Sequence, residues 1–502
     1  MKKYYYLALI VVLGIFLRFY NISISNIWGD EAYTWQTYQE GLSRIWDILK
    51  FDTHPPLHNI LSYLWTRVFG DSEFGIRSLS VLFGVLIIPI SYLFFVTQTK
   101  DKANSQFLSL AGTAFVTVNL QQIIYSQEGR AYAVINCLTV LLFLILSNPL
   151  SYRRVFFLAF VSIVGIYSHS IFFIILFMGF VWNYIYYPLG SYLSNFVIKL
   201  KYYSLYFLIS VLAYLPWLVN LSSQVREKQE FWLKFNPFTD FQNNFFTLFT
   251  SELVDNSIVV VPYLVNIIYV TVFVLLALGI ITTKKTLEGT RVIFLPIIML
   301  LIPYLVSFYS PIYYVRYIQY VIPFLILLMI FGLDIIYQKS KSLAKVIVLI
   351  FVFASLGLYF VSVRDNPSST NYFQVIEYIK NRKVSNTILH PTPETTYNLT
   401  NYYAKKNNFV VINKIFTFDK QTIKNYQKAV IKPEEMIINY KDTASLYVIS
   451  EWDIAEVKTT LEAKNYCKYS TKIFDGKIKL EEWRQNRFCR VEEKGSVIEF
   501  DN

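Results

Sequence analysis

The chain has 502 residues, 55% of them hydrophobic and 18% aromatic, with only 16% charged. Soluble globular proteins carry about 25% charged residues, so this balance belongs to a membrane protein. The formal charge of +12 does not indicate nucleic acid, because residues 364–502 hold 22 Lys/Arg against 18 Asp/Glu and the remaining excess sits mostly in short loops between apolar runs.

Lys2 and Lys3 precede the first apolar run, about Tyr4 to Tyr20. No small-residue cleavage site follows before Asp30, so the run reads as a retained signal anchor with a cytoplasmic N-terminus. A first outer loop then covers about residues 21–75. In it, "TWQTYQEGLSRIWDILKF" has apolar residues at helical spacing with interleaved charge and reads as an interfacial helix. "LHNILSYLWTRVFG" is only 14 residues long and is interrupted by Arg67. About 20 residues are needed to cross the hydrocarbon, so it reads as a second helix on the outer surface.

Further spans are expected at about 76–97, 105–125, 131–148, 155–168, 170–187, 202–220, 258–281, 291–309, 312–336 and 345–363. Together with the first they make about 11, and the C-terminus falls outside. This threading puts Lys100 and Lys102, Arg153 and Arg154, Lys199 and Lys201, Lys284 and Lys285, and Lys339, Lys341 and Lys345 on one side. Residues 1–363 are thus expected to form a transmembrane domain and 364–502 a soluble extracytoplasmic domain.

In that tail, "YFQVIEYIKNR", "ETTYNLTNYYAKK", "PEEMIINYK" and "DIAEVKTTLEAK" read as helices. "NTILHP", "FVVI", "SLYVIS", "FCRVE" and "SVIEF" read as strands. The alternation predicts a small α/β domain with a mainly parallel sheet. It has no Gly-rich phosphate loop. Cys137 lies in a predicted span as a small core residue. Cys467 and Cys489 fall in the tail, where a disulfide can form if the compartment is oxidising, and no CxxC metal spacing occurs.

The threading gathers unusual polar residues on one face. "WGDEAY" carries Asp30 and Glu31, and His54 follows in the same loop. "YSQEGRAY" places Glu128 and Arg130 at an outer turn, His169 lies at the next, and "YYVRY" brings Arg316 near the outer end of a late span. His58 lies one helical turn beyond His54, and His390 belongs to the tail. Taken singly, each has a plain structural account. The acid pair can start a solvated helix, Arg130 can anchor at the interface with Glu128 as its partner, His169 can serve its turn, and Arg316 can snorkel to headgroups. "HPP" can simply begin a helix, since proline favours the first turn. Together they describe acids and bases in a water-accessible cavity beside lipid, where ionisable residues usually have a function. Transfer from a lipid-linked donor is chemistry that such a set can do. A carboxylate takes the proton of a hydroxyl acceptor, cations meet the charge developing on a phosphate leaving group, and apolar helices hold the carrier chain.

"WGDEAY", "THPPLHNIL", "YSQEGRAYA" and "YYVRYIQYVIPFLILL" resemble, in this order, the markers of GT-C membrane glycosyltransferases. The likeness is to the family of protein O-mannosyltransferases and the lipid A aminoarabinose transferase, over about residues 1–335. It implies a polyprenyl-phosphate-sugar donor, inversion at the sugar carbon and an external active site in the cell membrane. By the resemblance Asp30 is the catalytic base, with Glu31 beside it, and Glu128 is a second functional carboxylate. His54 takes the basic place before the proline pair; the residues themselves add Arg130 and Arg316 as donor-phosphate ligands and His169 as a substrate-binding candidate. The acceptor is a lipid, a glycan or a protein. The pattern departs in two places: "DEAYTW" lacks the arginine that some relatives carry after the acids, and Thr53 stands where aminoarabinose transferases have an acid. Their metal site is therefore not carried over, although a divalent metal stays open as a cofactor.

The rival class is a transporter or lipid flippase. Such proteins place ionisable groups near the midplane, on broken helices within repeated halves, whereas these charges cluster at one face and no repeat is visible. The threading makes a direct prediction. Cysteine labelling from outside should modify a probe at Ser369 and spare one at Ser340. Labelling of both, or of Ser340 alone, would overturn it.

Overall fold

The structure is a computed structural model. It describes residues 2–39, 41–50, 52, 54–148, 151–186, 193–227, 235–251, 254, 257–283 and 287–364. In the C-terminal part it describes 372–381, 387–392, 399, 402–403, 410–411, 445–450, 462, 466–474 and 478–485. By contacts the chain divides into two compact units, residues 1–22 with 49–366, and residues 23–48 with 367–502.

The first unit is helical. It contains α1 (Lys2–Phe19), and then, beyond α2 (Gly29–Gln39) and α3 (Leu42–Leu49) of the second unit, α4 (Leu57–Phe69) and α5 (Glu73–Thr99). There follow α6 (Ser105–Val118), α7 (Leu120–Ile124), α8 (Tyr132–Leu146), α9 (Tyr152–Ser168), α10 (Phe172–Tyr186), α11 (Leu193–Glu227) and α12 (Pro237–Thr247). The last are α13 (Val261–Thr283), α14 (Leu287–Val306), α15 (Val315–Ile318), a 3-10 turn at Gln319–Val321, α16 (Ile322–Lys339) and α17 (Lys341–Arg364).

Glu73–Thr99, Val261–Thr283, Val315–Lys339 and Lys341–Val361 are each long and apolar enough to cross a membrane. Shorter apolar helices include Tyr4–Phe19, Ser105–Val118, Tyr132–Leu146 and Thr290–Val306. Large apolar side chains stay exposed along these helices, among them Val12, Leu93, Val270, Leu301 and Phe353. A helix apolar on all sides is a buried one, and residues 322–334 of α16 are all buried. There α16 meets α13 closely: a Cβ on Gly279 would strike the Leu328 carbonyl, and one on Gly332 the Leu275 carbonyl. Small residues at such a crossing let two backbones approach.

Several predicted spans differ in detail. The span expected at 105–125 is broken at Asn119, whose extended backbone separates α6 from α7 and whose Oδ1 caps α7 by accepting from Gln122 N–H at 3.1 Å. The span expected from residue 312 begins as α15 and a 3-10 turn before α16 takes over. The helix α12 was not anticipated. Within the first loop, the stretch read as one interfacial helix is two helices separated at Gly41, whose φ of +91° is open to glycine. Most of α2 is buried rather than facing lipid.

In the second unit, Trp35 of α2 packs edge-on to Tyr402 with centroids 5.2 Å apart, and Ile27 N–H donates to the Tyr403 hydroxyl at 2.9 Å. Helix α18 (Tyr372–Asn381) and strands β1 (Thr387–Thr392), β2 (Val410–Val411), β3 (Ser445–Ser450), β4 (Tyr466–Phe474) and β5 (Ile478–Gln485) complete its described elements. The sheet order is β2-β1-β3-β5-β4. Pairs β1–β2 and β1–β3 are parallel, but β3–β5 and β4–β5 are antiparallel. Among the described strands the sheet is thus mixed rather than mainly parallel. The β4–β5 hairpin escaped notice because charges interrupt its apolar alternation. Glu482 is buried on it, held by Arg484 Nη2 at 2.7 Å. Cys137 is a buried free thiol and Cys467 is disulfide-bonded. Cys489 lies outside the described residues, as do the helix expected at "PEEMIINYK" and the strands expected at "FCRVE" and "SVIEF".

One ion pair locks the end of α16 that carries Lys339. Lys102 Nζ lies 2.9 Å from Asp334 Oδ2, and Asn104 Nδ2 donates to Asp334 Oδ1 at 2.8 Å. The side chain of Asp334 is 1% exposed and that of Lys102 33%, so the two partners are not equivalent. Without the lysine a buried carboxylate is stranded, whereas without the acid the lysine can turn to water. Lys102→Met should therefore lower the unfolding temperature of the purified protein more than the double variant Lys102→Met/Asp334→Asn. The stranded carboxylate is worth on the order of 3 kcal/mol. Equal losses in the two proteins would refute this account.

Candidate active site

In the first unit, the turn between α7 and α8 is built by its own side chains. Gln127 Nε2 donates to three carbonyls at the end of α1, those of Leu17 (3.1 Å), Arg18 (3.2 Å) and Tyr20 (2.8 Å). The Tyr359 hydroxyl donates to Leu17 O at 2.9 Å. The last carbonyls of a helix need such donors. The Arg130 carbonyl accepts from Ser80 Oγ at 3.0 Å, which fixes the turn to α5.

Arg130 is buried, and its Nη2 lies 3.4 Å from His54 Nε2. A guanidinium only donates, so His54 Nε2 accepts and its proton sits on Nδ1, 3.3 Å from Asp52 Oδ2. An acid, an imidazole and a guanidinium thus form a chain, in which His54 aims Arg130.

The two prolines of "HPP" start α4, with Pro56 as its N-cap residue. The polar residues His58, Asn59, Ser62 and Thr66 face inward, while Leu64, Val68 and Phe69 are exposed, Val68 by 75%. That arrangement is inverted for water and suits a helix lying against lipid. His58 Nε2 faces the Gly129 carbonyl at 3.4 Å. Burial, reinforced by the Arg130 charge and then by His54, pushes its pKa down from 6.5 to about 3. His58 Nδ1 is buried with no hydrogen-bond partner among the described residues, and so is the Tyr132 hydroxyl.

His169 caps the end of α9 and its Nδ1 accepts from Ile171 N–H at 3.1 Å, so its structural role in the turn is real. Its ring also meets His54 (centroids 5.1 Å apart), Tyr317 (5.5 Å) and Tyr132 (6.0 Å). His54, His58, Arg130, Tyr132 and His169 line one cleft of about 10 Å³, room for about one water. Arg316 lies over Tyr314 and Tyr317, its guanidinium carbon 4.8 and 5.8 Å from the ring centroids. The Tyr132 hydroxyl is within electrostatic reach of Arg130, Glu128 and Arg316 together. Five of the sequence-predicted residues, Glu128, His54, Arg130, Arg316 and His169, therefore gather around Tyr132.

Asp30 and Glu31 belong to the second unit. Both sit in the first turn of α2, where acids suit the helix dipole. Glu31 is buried, and its Oε2 accepts from Trp28 N–H at 3.2 Å, as the third residue of a capping box does. Asp30 is partly exposed, and its carbonyl accepts from the Thr34 hydroxyl at 3.0 Å.

Sequence reasoning passed over Asp52, Tyr132 and Tyr317 and gave His58 no role. Asp52 and Tyr132 lie within or beside the quoted motifs, but only the fold shows which ring or carboxylate turns inward. Among the described residues no group of three or more His, Cys, Asp or Glu converges as metal ligands.

No family model and no curated protein matches the sequence. Solved structures do match. ArnT from Cupriavidus metallidurans in the apo state aligns with TM-score 0.66 at 10% identity, over 98% of this chain and 100% of that chain. The same protein bound to undecaprenyl phosphate gives 0.60 at 13% identity, over 95% and 97%. The Archaeoglobus fulgidus oligosaccharyltransferase with Zn and sulfate gives 0.51 at 11% identity, over 95% and 72%. These neighbours are GT-C glycosyltransferases. The chain has the GT-C fold. Across such low identity the likeness is one of fold, and the expected resemblance to GT-C proteins holds at that level. Within the GT-C fold, the basic and aromatic cluster described above is built from this chain's own turns.

His58 offers a test of the cleft. Unfolded, it takes a proton near pH 6.5; folded, only near pH 3. The unfolded state therefore binds the extra proton between these values. The associated stability is complete above about pH 6.5 and is lost as pH falls towards 3. His58→Gln keeps a donor for Gly129 O and removes the titration. Its melting temperature should fall less steeply from pH 7 to pH 4.5 than that of the parent. Parallel curves would mean that His58 titrates normally.

Proposed function

We propose that the protein is an integral-membrane glycosyltransferase. It moves a sugar from a polyprenyl-phosphate-linked donor to a hydroxyl or phosphate acceptor on a lipid, glycan or protein, with inversion, at the outer face of the cell membrane. The observation that carries this reading is the convergence of Arg130, Arg316 and the Tyr132 hydroxyl in a unit of apolar helices with the GT-C fold. The ArnT structure bound to undecaprenyl phosphate supports the choice of carrier.

In this mechanism the acceptor oxygen attacks the sugar carbon from the side opposite phosphate. The bond from that carbon to the phosphate oxygen breaks, and the electron pair leaves with the phosphate. Arg130 and Arg316 meet that charge through forked N–H groups, which match phosphate oxygens in pairs. His54 and Asp52 hold Arg130 in its aim, and the Tyr132 hydroxyl and His169 complete the polar wall. Asp30 takes the acceptor proton. Within the acid pair, the choice of Asp30 is supported by its partial exposure beside a buried Glu31 that accepts from the Trp28 N–H. Glu128 is the second carboxylate and balances the cations. The N-terminus and the basic loops are cytoplasmic, about 11 spans cross the membrane, and the α/β unit is external.

The test uses membranes with matched expression and a panel of labelled sugar-linked polyprenyl phosphates, reading release of polyprenyl phosphate. Asp30→Asn should lower turnover by about 10²–10⁴-fold, the usual worth of a general base, with donor binding kept. Arg316→Ala should weaken donor binding, and Arg316→Lys should restore only part of it. Turnover in Asp30→Asn within a few-fold of the parent moves the base elsewhere, with Glu128 first in line. Failure of every donor to be consumed by the parent protein rejects the reading as a whole.

A further inference from the structure

The turn that carries Arg316 is held by side chains from outside it. Tyr314, just before α15, is extended, with φ −131° and ψ 146°. Asn244 of α12 spans it as a neighbouring strand would. Its Nδ2 donates to Tyr313 O at 2.9 Å and its Oδ1 accepts from Val315 N–H at 2.9 Å. The same Nδ2 donates to Asp240 O at 2.8 Å, so the amide is fixed on its own helix. Ser307 Oγ, at the end of α14, accepts from Ile312 N–H (3.0 Å) and Tyr313 N–H (2.7 Å). On the far side, Gln319 Nε2 donates to Arg316 O at 3.2 Å, and Gln319 Oε1 accepts from Asn136 Nδ2 of α8 at 2.8 Å. Asn244, Ser307, Gln319 and Asn136 are all buried.

Helix α12 is itself tied to α7. Asn119 Nδ2 donates to Leu248 O at 2.9 Å, and Gln121 Nε2 donates to Thr247 O (2.9 Å) and Thr250 O (3.0 Å). Since α7 leads directly into the Glu128–Arg130 turn, one run of side-chain amides connects the two turns that bear the arginines.

We propose that Asn244 is a positioning residue for Arg316: it sets the spacing of the two arginines on the donor phosphate without touching the donor. The proposal rests on the reading of Arg316 as a phosphate ligand. A backbone pinned on both sides of Tyr314 leaves the Arg316 guanidinium few placements. A phosphate clamp needs that, because forked hydrogen bonds tolerate little misplacement.

The experiment is a double-mutant cycle on binding of undecaprenyl phosphate to the purified full-length protein, so that neither the sugar nor the acceptor need be known. Arg316→Ala and Asn244→Ala should each weaken binding, the latter by about tenfold. In the Arg316→Ala background, Asn244→Ala should have no further effect, since residues that act through one another are not additive. A loss of equal size in both backgrounds would make Asn244 a general structural residue and sink the proposal, as would unchanged binding in Asn244→Ala. Unchanged binding in Arg316→Ala would instead reject the phosphate-ligand reading on which the proposal rests. If Asn244→Ala does not fold, Ser307→Ala removes a single oxygen from the same turn and carries the cycle with the same expectations.

Discussion

Peptide groups inside an apolar bundle have no water to turn to, so wherever a helix stops within it a side chain must take the place of the missing backbone partner. This constraint organises the first unit. The end of α1 is met by Gln127 and Tyr359, the break at Asn119 by Asn119 itself, and the extended turn before α15 by Asn244 and Ser307. Carboxamides suit the task because one side chain both donates and accepts. The breaks matter because they interrupt otherwise apolar helices at the positions where Arg130, His169 and Arg316 stand. A continuous helix would carry these residues past the site. A capped break turns them into it.

Desolvation is the second theme of the site. Arg130 is buried and His58 is kept neutral beside it, while aromatic rings of Tyr132, Tyr314 and Tyr317 flank the two arginines. Such a setting excludes water and strengthens the field that the cations exert on an anion. It also raises the cost of any cation left without a counter-charge. The Asp52–His54–Arg130 chain answers that cost in part, with the acid set one imidazole away from the arginine. Helix α4 adds the lipid side: its inward stripe is polar and its outward stripe apolar.

The second unit shows how an acid pair can be split by its surroundings. Asp30 and Glu31 are adjacent in sequence and share a helix dipole, yet Glu31 is buried as a cap and Asp30 stays partly exposed. The helix that bears them is covered by the unit that holds the sheet, through Trp35 against Tyr402 and Ile27 against Tyr403. A similar arrangement recurs on β5, where Glu481 accepts from the Trp483 indole and Glu482 from Arg484, so buried carboxylates meet donors on their own strand.

Composition and the length of apolar runs by themselves determined that this is a polytopic helical membrane protein, because crossing hydrocarbon demands long apolar helices whatever the partners. The order of "WGDEAY", "THPPLHNIL", "YSQEGRAYA" and "YYVRY" also pointed to Glu128, His54, Arg130 and Arg316, since charges beside apolar runs are conspicuous in one dimension. The breaks at Asn119 and Gly41, helix α12, and the roles of Asp52, Tyr132 and Asn244 were not legible. An asparagine that bridges to a residue 71 positions away along the chain looks like any other loop asparagine until its partner is known. The β4–β5 hairpin was hidden because a buried glutamate, Glu482, breaks the apolar alternation and is held by Arg484 and by Ser470 of the neighbouring strand. Tertiary structure decided these points because hydrogen-bond satisfaction belongs to pairs of groups, and the sequence displays the groups one at a time.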